Sequence, residues 1–323
     1  MQTIFFGGGT PSLFSAASLD RLLCAIRARI NVAPDAEITL EANPGTFEAE
    51  KFADYRKLGI NRLSIGIQSF NTKHLKALGR IHDDNEARRA VAIAKDNFDN
   101  FNLDLMYALP KQTLPEALAD IDAAVNLGAP HISAYHLTLE PNTLFYKHPP
   151  PLPDHDASAA MQEAIEARLA ENGYGHYETS AFAKAGHECR HNLNYWQFGD
   201  YLGIGAGAHS KLSFHDCIVR EMRYKHPATY LQKIADGDPV QEHRPITAAD
   251  LPFEFMMNAL RLMDGVPLAL FPERTGLPIT SVSKPLAIAE IKKLIERDHQ
   301  QLVPTLLGQR FLNDLLEIFL PEK

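Results

Sequence analysis

Cysteine is scarce: Cys24, Cys189 and Cys217 are all that occur in 323 residues, far apart and odd in number. That excludes a disulfide framework, and without a C-x-x-C pair it excludes the usual thiol redox and zinc motifs, so a reducing compartment fits best. No apolar run is long enough to span a bilayer, which leaves no direct membrane insertion. The first residues carry neither a basic leader nor a small-residue cleavage site, and the cytoplasm is the expected location. Positive charge is short as well. Lys and Arg total 32 against 40 for Asp and Glu, a formal net charge of -8, which argues against a general binder of nucleic acid. Repeats and low-complexity tails are missing too. With 45% hydrophobic and 22% charged residues, what is present is an ordinary globular chain of roughly two domains.

Short apolar runs alternate with helical periodicity from the first residues, the pattern of βα units around a parallel sheet. Strands are expected over 3–6, 37–41, 62–67, 101–106 and 131–137, with amphipathic helices over 18–30, 47–58, 71–78, 85–97 and 114–127. Ser18 and Asn71 are the expected N-caps. Such a series suits an α/β fold of either of two kinds, an open doubly wound sheet or part of a (β/α) barrel, and periodicity does not separate them. The proline-rich stretch 147–153 reads as a stiff linker that ends a first domain at about residue 150. A middle segment, 151–246, opens with a helix over 157–171 and turns irregular from 176 to 210. The remainder, 247–323, reads as mostly helical, with a helix over 288–297, a strand at 301–304 and a last helix over 310–319, a winged-helix-like arrangement without a basic recognition helix.

Unusual polar and glycine residues fall at strand ends, which share one rim in a parallel sheet or barrel. Gly7, Gly8, Gly9 and Thr10 follow the first strand, and bare backbone there either presents N–H groups to a ligand or makes a tight turn. Glu41, just before Asn43-Pro44-Gly45, either meets ribose hydroxyls or an ammonium group or caps a turn. Asp104 is sharper, because a carboxylate inside a buried strand costs desolvation unless a partner or ligand meets it. Gln68 and Arg80 can reach the same rim, Arg80 toward Asp104 or a ligand carboxylate, or else as a solvated helix end. Tyr135 and His136 close the fifth strand.

Taken together, Gly-Gly-Gly-Thr-Pro-Ser from Gly7, Glu-Ala-Asn-Pro-Gly from Glu41, Ile-Gly-Ile-Gln-Ser-Phe from Ile65, Leu-Gly-Arg-Ile-His from Leu78 and Asn-Leu-Asp-Leu-Met-Tyr-Ala-Leu-Pro from Asn102 resemble the radical S-adenosylmethionine (SAM) proteins related to oxygen-independent coproporphyrinogen III oxidase. The resemblance runs nearly end to end. His-Asn-Leu-Asn-Tyr-Trp from His191, followed by Gly-Asp-Tyr-Leu-Gly-Ile-Gly, makes it closest to the heme chaperone branch, HemW. It implies a partial (β/α) TIM-like barrel whose rim binds S-adenosylmethionine, with a winged-helix-like C-terminal region. Gly8 and Glu41 match positions that contact the cluster-bound S-adenosylmethionine, and Gly9, Thr10, Gln68, Arg80 and Asp104 match a second such site. The implied role is to bind heme and pass it to respiratory hemoproteins, with His191 on the iron and Tyr195 and Trp196 stacked on the porphyrin. Read without the resemblance, the two aromatics anchor the middle segment and His191 is a satisfied interface histidine; His176, His187 and His209 are alternative ligands. The alternative activity is oxidative decarboxylation of coproporphyrinogen III, and a third reading is a cluster-free interaction protein. An oligomer is compatible with any of these.

The family's C-x-x-x-C-x-x-C loop, which holds a 4Fe-4S cluster, does not occur here. The strand at 3–6 matches the family's second strand, so the first strand and its cysteine loop have no counterpart. The expectation is that Met1 is an internal methionine of a longer protein, because a missing first strand leaves an unpaired edge; loss of the cluster in this lineage is the other reading.

Overall fold

The computed structural model describes residues 1–46 and 49–321. The first compact unit, Met1–His191, is built on parallel strands β1 (Thr3–Phe6), β2 (Glu37–Ala42), β3 (Arg62–Gln68), β4 (Asn100–Tyr107) and β5 (His131–His136). They are joined by helices α1 (Ala16–Arg27), α2 (Ala49–Lys57), α3 (Thr72–Ala77), α4 (Asp84–Asn97) and α5 (Leu114–Leu127). After α6 (Leu144–Lys147) and α7 (His155–Glu171), the hairpin β6 (Gly175–Glu178) and β7 (Ala181–Ala183) adds antiparallel to β5. The sheet order is β1-β2-β3-β4-β5-β7-β6, curled into a half-barrel.

Alternation along the strands explains the curl. In β3, Leu63, Ile65 and Ile67 are fully buried among the helices, while Arg62, Ser64, Gly66 and Gln68 face the lumen. Ile38 and Leu40 of β2, Leu103 and Leu105 of β4, and Ile132 and Ala134 of β5 continue the apolar outer layer. Each fully buried leucine or isoleucine there contributes about 1.5–3 kcal/mol.

Several expected boundaries move. The cap of α1 is Ser15, whose Oγ accepts from the Ser18 amide, so the helix opens one turn earlier than Ser18 would place it. Asn71 does cap α3, accepting from the Lys73 amide. Phe47, the expected start of the second helix, lies outside the described residues. The proline stretch does not end the first unit: the Lys111 amide donates to the Pro151 carbonyl, and α7 and the hairpin beyond it still belong to the same unit.

The second unit, Asn192–Lys323, contains the rest of helix α8 (Arg190–Trp196) and a three-stranded sheet, β10-β9-β8, from β8 (His209–Ser213), β9 (Ile218–Arg223) and β10 (Val240–Pro245). Its core gathers Phe255, Phe271, Leu286 and Leu315 around a small sheet of β11 (Val266–Pro267), β12 (Ile295–Arg297) and β13 (Gln301–Pro304). The expected helix over 288–297 is instead a helix over Ser283–Ile291 followed by β12, because Ile295 pairs with Pro304 and ladder pairing overrides helical propensity. The last expected helix is split into Leu306–Arg310 and Leu312–Glu317. No helix among the described residues is long and apolar enough to cross a membrane.

Candidate functional site

The C-terminal ends of β1 to β5 form the rim. Gly8 and Gly9 hold φ of +80° and +60° with open space where a side chain would stand, and a Cβ on Gly7 would press on Glu41 Oε1 at 3.1 Å. Thr10 heads the short helical turn Pro11–Leu13, and the Tyr55 hydroxyl of α2 pins that turn by donating to the Ser12 and Phe14 carbonyls. The Gly8 amide donates to Glu41 Oε2 at 3.0 Å. Burial raises the Glu41 pKa against that hydrogen bond, and the charge of Asp104 raises it further. Asp104 accepts from Ser64 Oγ at 3.0 Å and Asn102 Nδ2 at 2.8 Å, and burial still raises its pKa.

Gln68 has a φ of +67° at a shift in the β3–β4 register, a conformation uncommon for a residue with a side chain. Buried Asp120 holds the turn beyond it, accepting from Ser69 Oγ and the Phe70 amide at 2.7 Å each, while His82 Nε2 contacts the Ile67 carbonyl at 3.1 Å. Of its alternatives Arg80 does not take the pairing with Asp104: it is exposed and makes no ion pair among the described residues, and buried Arg62 is the cation that acts against the burial-raised Asp104 pKa. Tyr135 stays partly exposed at the end of β5, whereas His136 turns outward, edge-on to Tyr107 at 5.3 Å.

Below the rim the lumen is polar. Buried Asn102 donates from Nδ2 to Asp104 and to Ser64 Oγ at 2.9 Å, and its Oδ1 accepts from Ser133 Oγ at 3.1 Å and from His131 Nδ1 at 2.7 Å. With His131 Nδ1 donating, Nε2 accepts from the Tyr177 hydroxyl at 2.8 Å, and Tyr177 accepts the Cys189 amide at 3.3 Å. All donors in this series therefore point the same way, from the start of α8 to Asp104. Burial drives the His131 pKa well down, which suits the neutral ring the series requires.

At the floor, His191 Nδ1 lies 3.0 Å from Thr3 Oγ1 and its ring stacks on Phe5 at 4.9 Å. Its pKa is lowered to about 4 by burial, with Glu37 opposing and Arg62 adding to the shift. Of the other candidate histidines, His176 stacks on Phe182, His187 is half-buried with no partner on Nδ1, and His209 is exposed on β8. In the second unit Tyr195 packs on Tyr201 at 4.3 Å. Arg261 covers one face of Trp196 at 4.3 Å, and the buried Trp196 Nε1 has no hydrogen-bond partner.

A 4Fe-4S cluster does not fit the residues of this chain: Cys24 and Cys217 are exposed, Cys189 is buried, and no three metal-binding side chains converge among the described residues. S-adenosylmethionine does fit. Two carboxylates whose pKa values are raised by burial, that of Glu41 further by the charge of Asp104, beside glycine backbone and open space, suit a ligand carrying a sulfonium and an ammonium group.

Comparison with known proteins agrees with this architecture. The model of the Radical SAM superfamily matches residues 1–124 and that of the HemN C-terminal domain matches residues 246–311. The structure of coproporphyrinogen III oxidase (HemN) from Escherichia coli superposes with a TM-score of 0.82 at 21% identity, covering 99% of this chain and 77% of that one, a likeness of fold. Fold and rim thus define a radical SAM barrel with a HemN-type C-terminal domain. Within that class, heme chaperone HemW of Escherichia coli (strain K12) is 49% identical over 100% of this chain and 85% of its own length. HemW of Haemophilus influenzae is 50% identical over 100% of this chain and 84% of its own. The chain belongs to the HemW family.

The luminal residues Thr3, Glu37, Arg62, Asn102, His131 and Tyr177 were not singled out by the motifs. Their signal is period-two polarity inside buried strands, Glu37-x-Thr39-x-Glu41 and Asn102-x-Asp104, which a sheet covered by helices on both faces would not tolerate.

Proposed function

We propose that this protein binds heme and hands it to hemoproteins, respiratory ones among them, and that its barrel rim binds S-adenosylmethionine. The observation that carries the reading is the likeness, over the whole chain and close to half of all residues, to proteins named heme chaperones. His191 supplies suitable chemistry: with its pKa lowered to about 4 by burial, the ring is neutral at physiological pH and competent as an iron ligand. Tyr195 and Trp196, on the same motif, are the aromatic partners for the porphyrin face.

At the rim, Gly8, Gly9 and Thr10 offer backbone to the bound molecule, Glu41 and Asp104 offer negative charge, Gln68 an amide and Arg80 a guanidinium for a carboxylate. S-adenosylmethionine brings to that rim a sulfonium cation and an amino-acid zwitterion. No three metal-binding side chains converge among the described residues, and the residues named here are the ones that would hold S-adenosylmethionine.

The test is titration with heme while following the Soret band, for the wild-type protein and for His191→Ala. Loss of about tenfold or more in affinity with a shifted band is expected, as for removal of a metal contact. An unchanged band and affinity remove His191 as the ligand. No heme binding by the wild-type protein, with turnover of coproporphyrinogen III, replaces the chaperone reading by the oxidase.

A further inference from the structure

His191 is held by two residues that are neighbours across the first two strands. Thr3 and Glu37 are register partners of β1 and β2, and both face the lumen. Thr3 Oγ1 meets the imidazole at Nδ1, while Glu37 takes the main chain: Oε1 accepts the His191 amide at 3.1 Å and Oε2 accepts the Arg190 amide at 3.2 Å. The Cys189 thiol leans on the same carboxylate at 3.6 Å. Glu37 is 6% exposed, so its charge has left water and is compensated by these donors. The first amides of a helix have no partner within it, and a buried carboxylate that accepts two of them fixes where the helix starts and how it is rotated. A second clamp lies beside it, where the Arg190 guanidinium reaches the Asp35 carbonyl at 2.8 Å and Gln2 Oε1 at 3.1 Å.

We infer that Glu37 is the positioning residue of the heme motif: its carboxylate seats the start of α8 on the barrel floor and sets the orientation of His191. This rests on the reading of His191 as the iron ligand. Neither the sequence motifs nor the family resemblance points to Glu37, which stands four residues ahead of the Glu41 that the rim uses. An iron-binding histidine depends on such outer partners, and their removal typically costs 10–100-fold in affinity.

The experiment compares heme titrations, the reduction potential of the bound heme, and S-adenosylmethionine binding by calorimetry in the wild-type protein, Glu37→Ala, Glu37→Gln and His191→Ala. Glu37→Ala should weaken heme binding about tenfold or more. Its affinity for S-adenosylmethionine should stay within about twofold, because the rim is built from other residues of the strand. Glu37→Gln keeps an acceptor and part of the helix seat, so its affinity should fall by about threefold or less, and its heme potential should lie between those of the wild-type protein and Glu37→Ala. Wild-type affinity and potential in both Glu37 variants, with heme binding lost in His191→Ala, overturn the inference. Unchanged heme binding in His191→Ala overturns the ligand reading beneath it. Should Glu37→Ala fail to fold, the potential of Glu37→Gln decides alone.

Discussion

The rim and the floor of the half-barrel stand on the same strands, yet their polar groups are managed in opposite ways. At the rim, burial raises the pKa of two carboxylates and the charge of Asp104 raises that of Glu41 further, glycines at positive φ border open space, and Gln68 holds an uncommon backbone conformation. Toward the floor, Asn102, His131, Tyr177 and Glu37 are bonded to one another or to the start of α8. A rim with excess negative charge and bare backbone gains by accepting a cationic guest. A connected floor gains nothing from a small guest and instead fixes the geometry of what is attached to it.

The most forceful way to break the comparison is to remove the hub between the two ends. Asn102→Leu has similar size but leaves His131 Nδ1, Ser133 Oγ and Asp104 Oδ1 without the partner they share. Buried groups stripped of hydrogen bonds cost about 1–3 kcal/mol each, partly recovered by rearrangement, so a loss of about 3 kcal/mol is expected. Thermal unfolding should come roughly 6–12 °C lower. A loss under about 1 kcal/mol would mean that the series is not a unit.

The floor should also declare itself through pH. A histidine whose folded pKa lies below its unfolded value contributes stability that is present above about pH 6.5 and lost as pH falls toward the folded value, about 4 for His191. Between pH 7.5 and pH 5 the wild-type protein should therefore lose about 2 kcal/mol more than His191→Gln in urea unfolding without heme. The other buried histidines, His131 among them, are common to both proteins and cancel. Equal losses would place His191 in water rather than under Phe5 and Thr3.

How much of this could be read in the sequence differs between the two ends. The rim was legible because its residues sit in contiguous motifs at strand ends, where a triple glycine or a lone acid before Asn-Pro-Gly stands out. Arg80 had more than one reading there, a partner for Asp104, a group for a ligand carboxylate or a solvated helix end; it is exposed and unpaired with Asp104, and buried Arg62 exerts the charge instead. The floor was hidden because its residues come from six separate strands and a helix, and each looks ordinary in its own segment. The choice between an open sheet and a barrel was legible in principle, since polar residues at every second position of β2 to β5 require a lumen to face. The reach of the first unit to His191 was not, because the proline stretch 147–153 has the composition of a linker but runs back against the loop after β4.

The rim supplies the smallest effect on stability and the one of opposite sign. Asp104 has a folded pKa above its unfolded value, so its contribution is favourable at low pH and is lost as pH rises through the folded pKa. At neutral pH, above the ordinary carboxylate range, this position therefore costs the protein without ligand some stability. Asp104→Asn removes the charge and retains an acceptor for Asn102 Nδ2, so the unliganded protein should gain about 1 kcal/mol at pH 7. The gain should vanish near pH 3.5, where the wild-type carboxyl is already neutral. The same substitution takes away half of the negative charge that attracts the sulfonium and ammonium groups, and S-adenosylmethionine affinity should fall about tenfold, or 1.4 kcal/mol. Stability and binding moving in opposite directions mark a position kept for its ligand at the expense of the fold. If Asp104→Asn instead lowers the unfolding temperature at pH 7 and leaves binding unchanged, Asp104 belongs with the floor, as one more member of the bonded series that starts at Cys189.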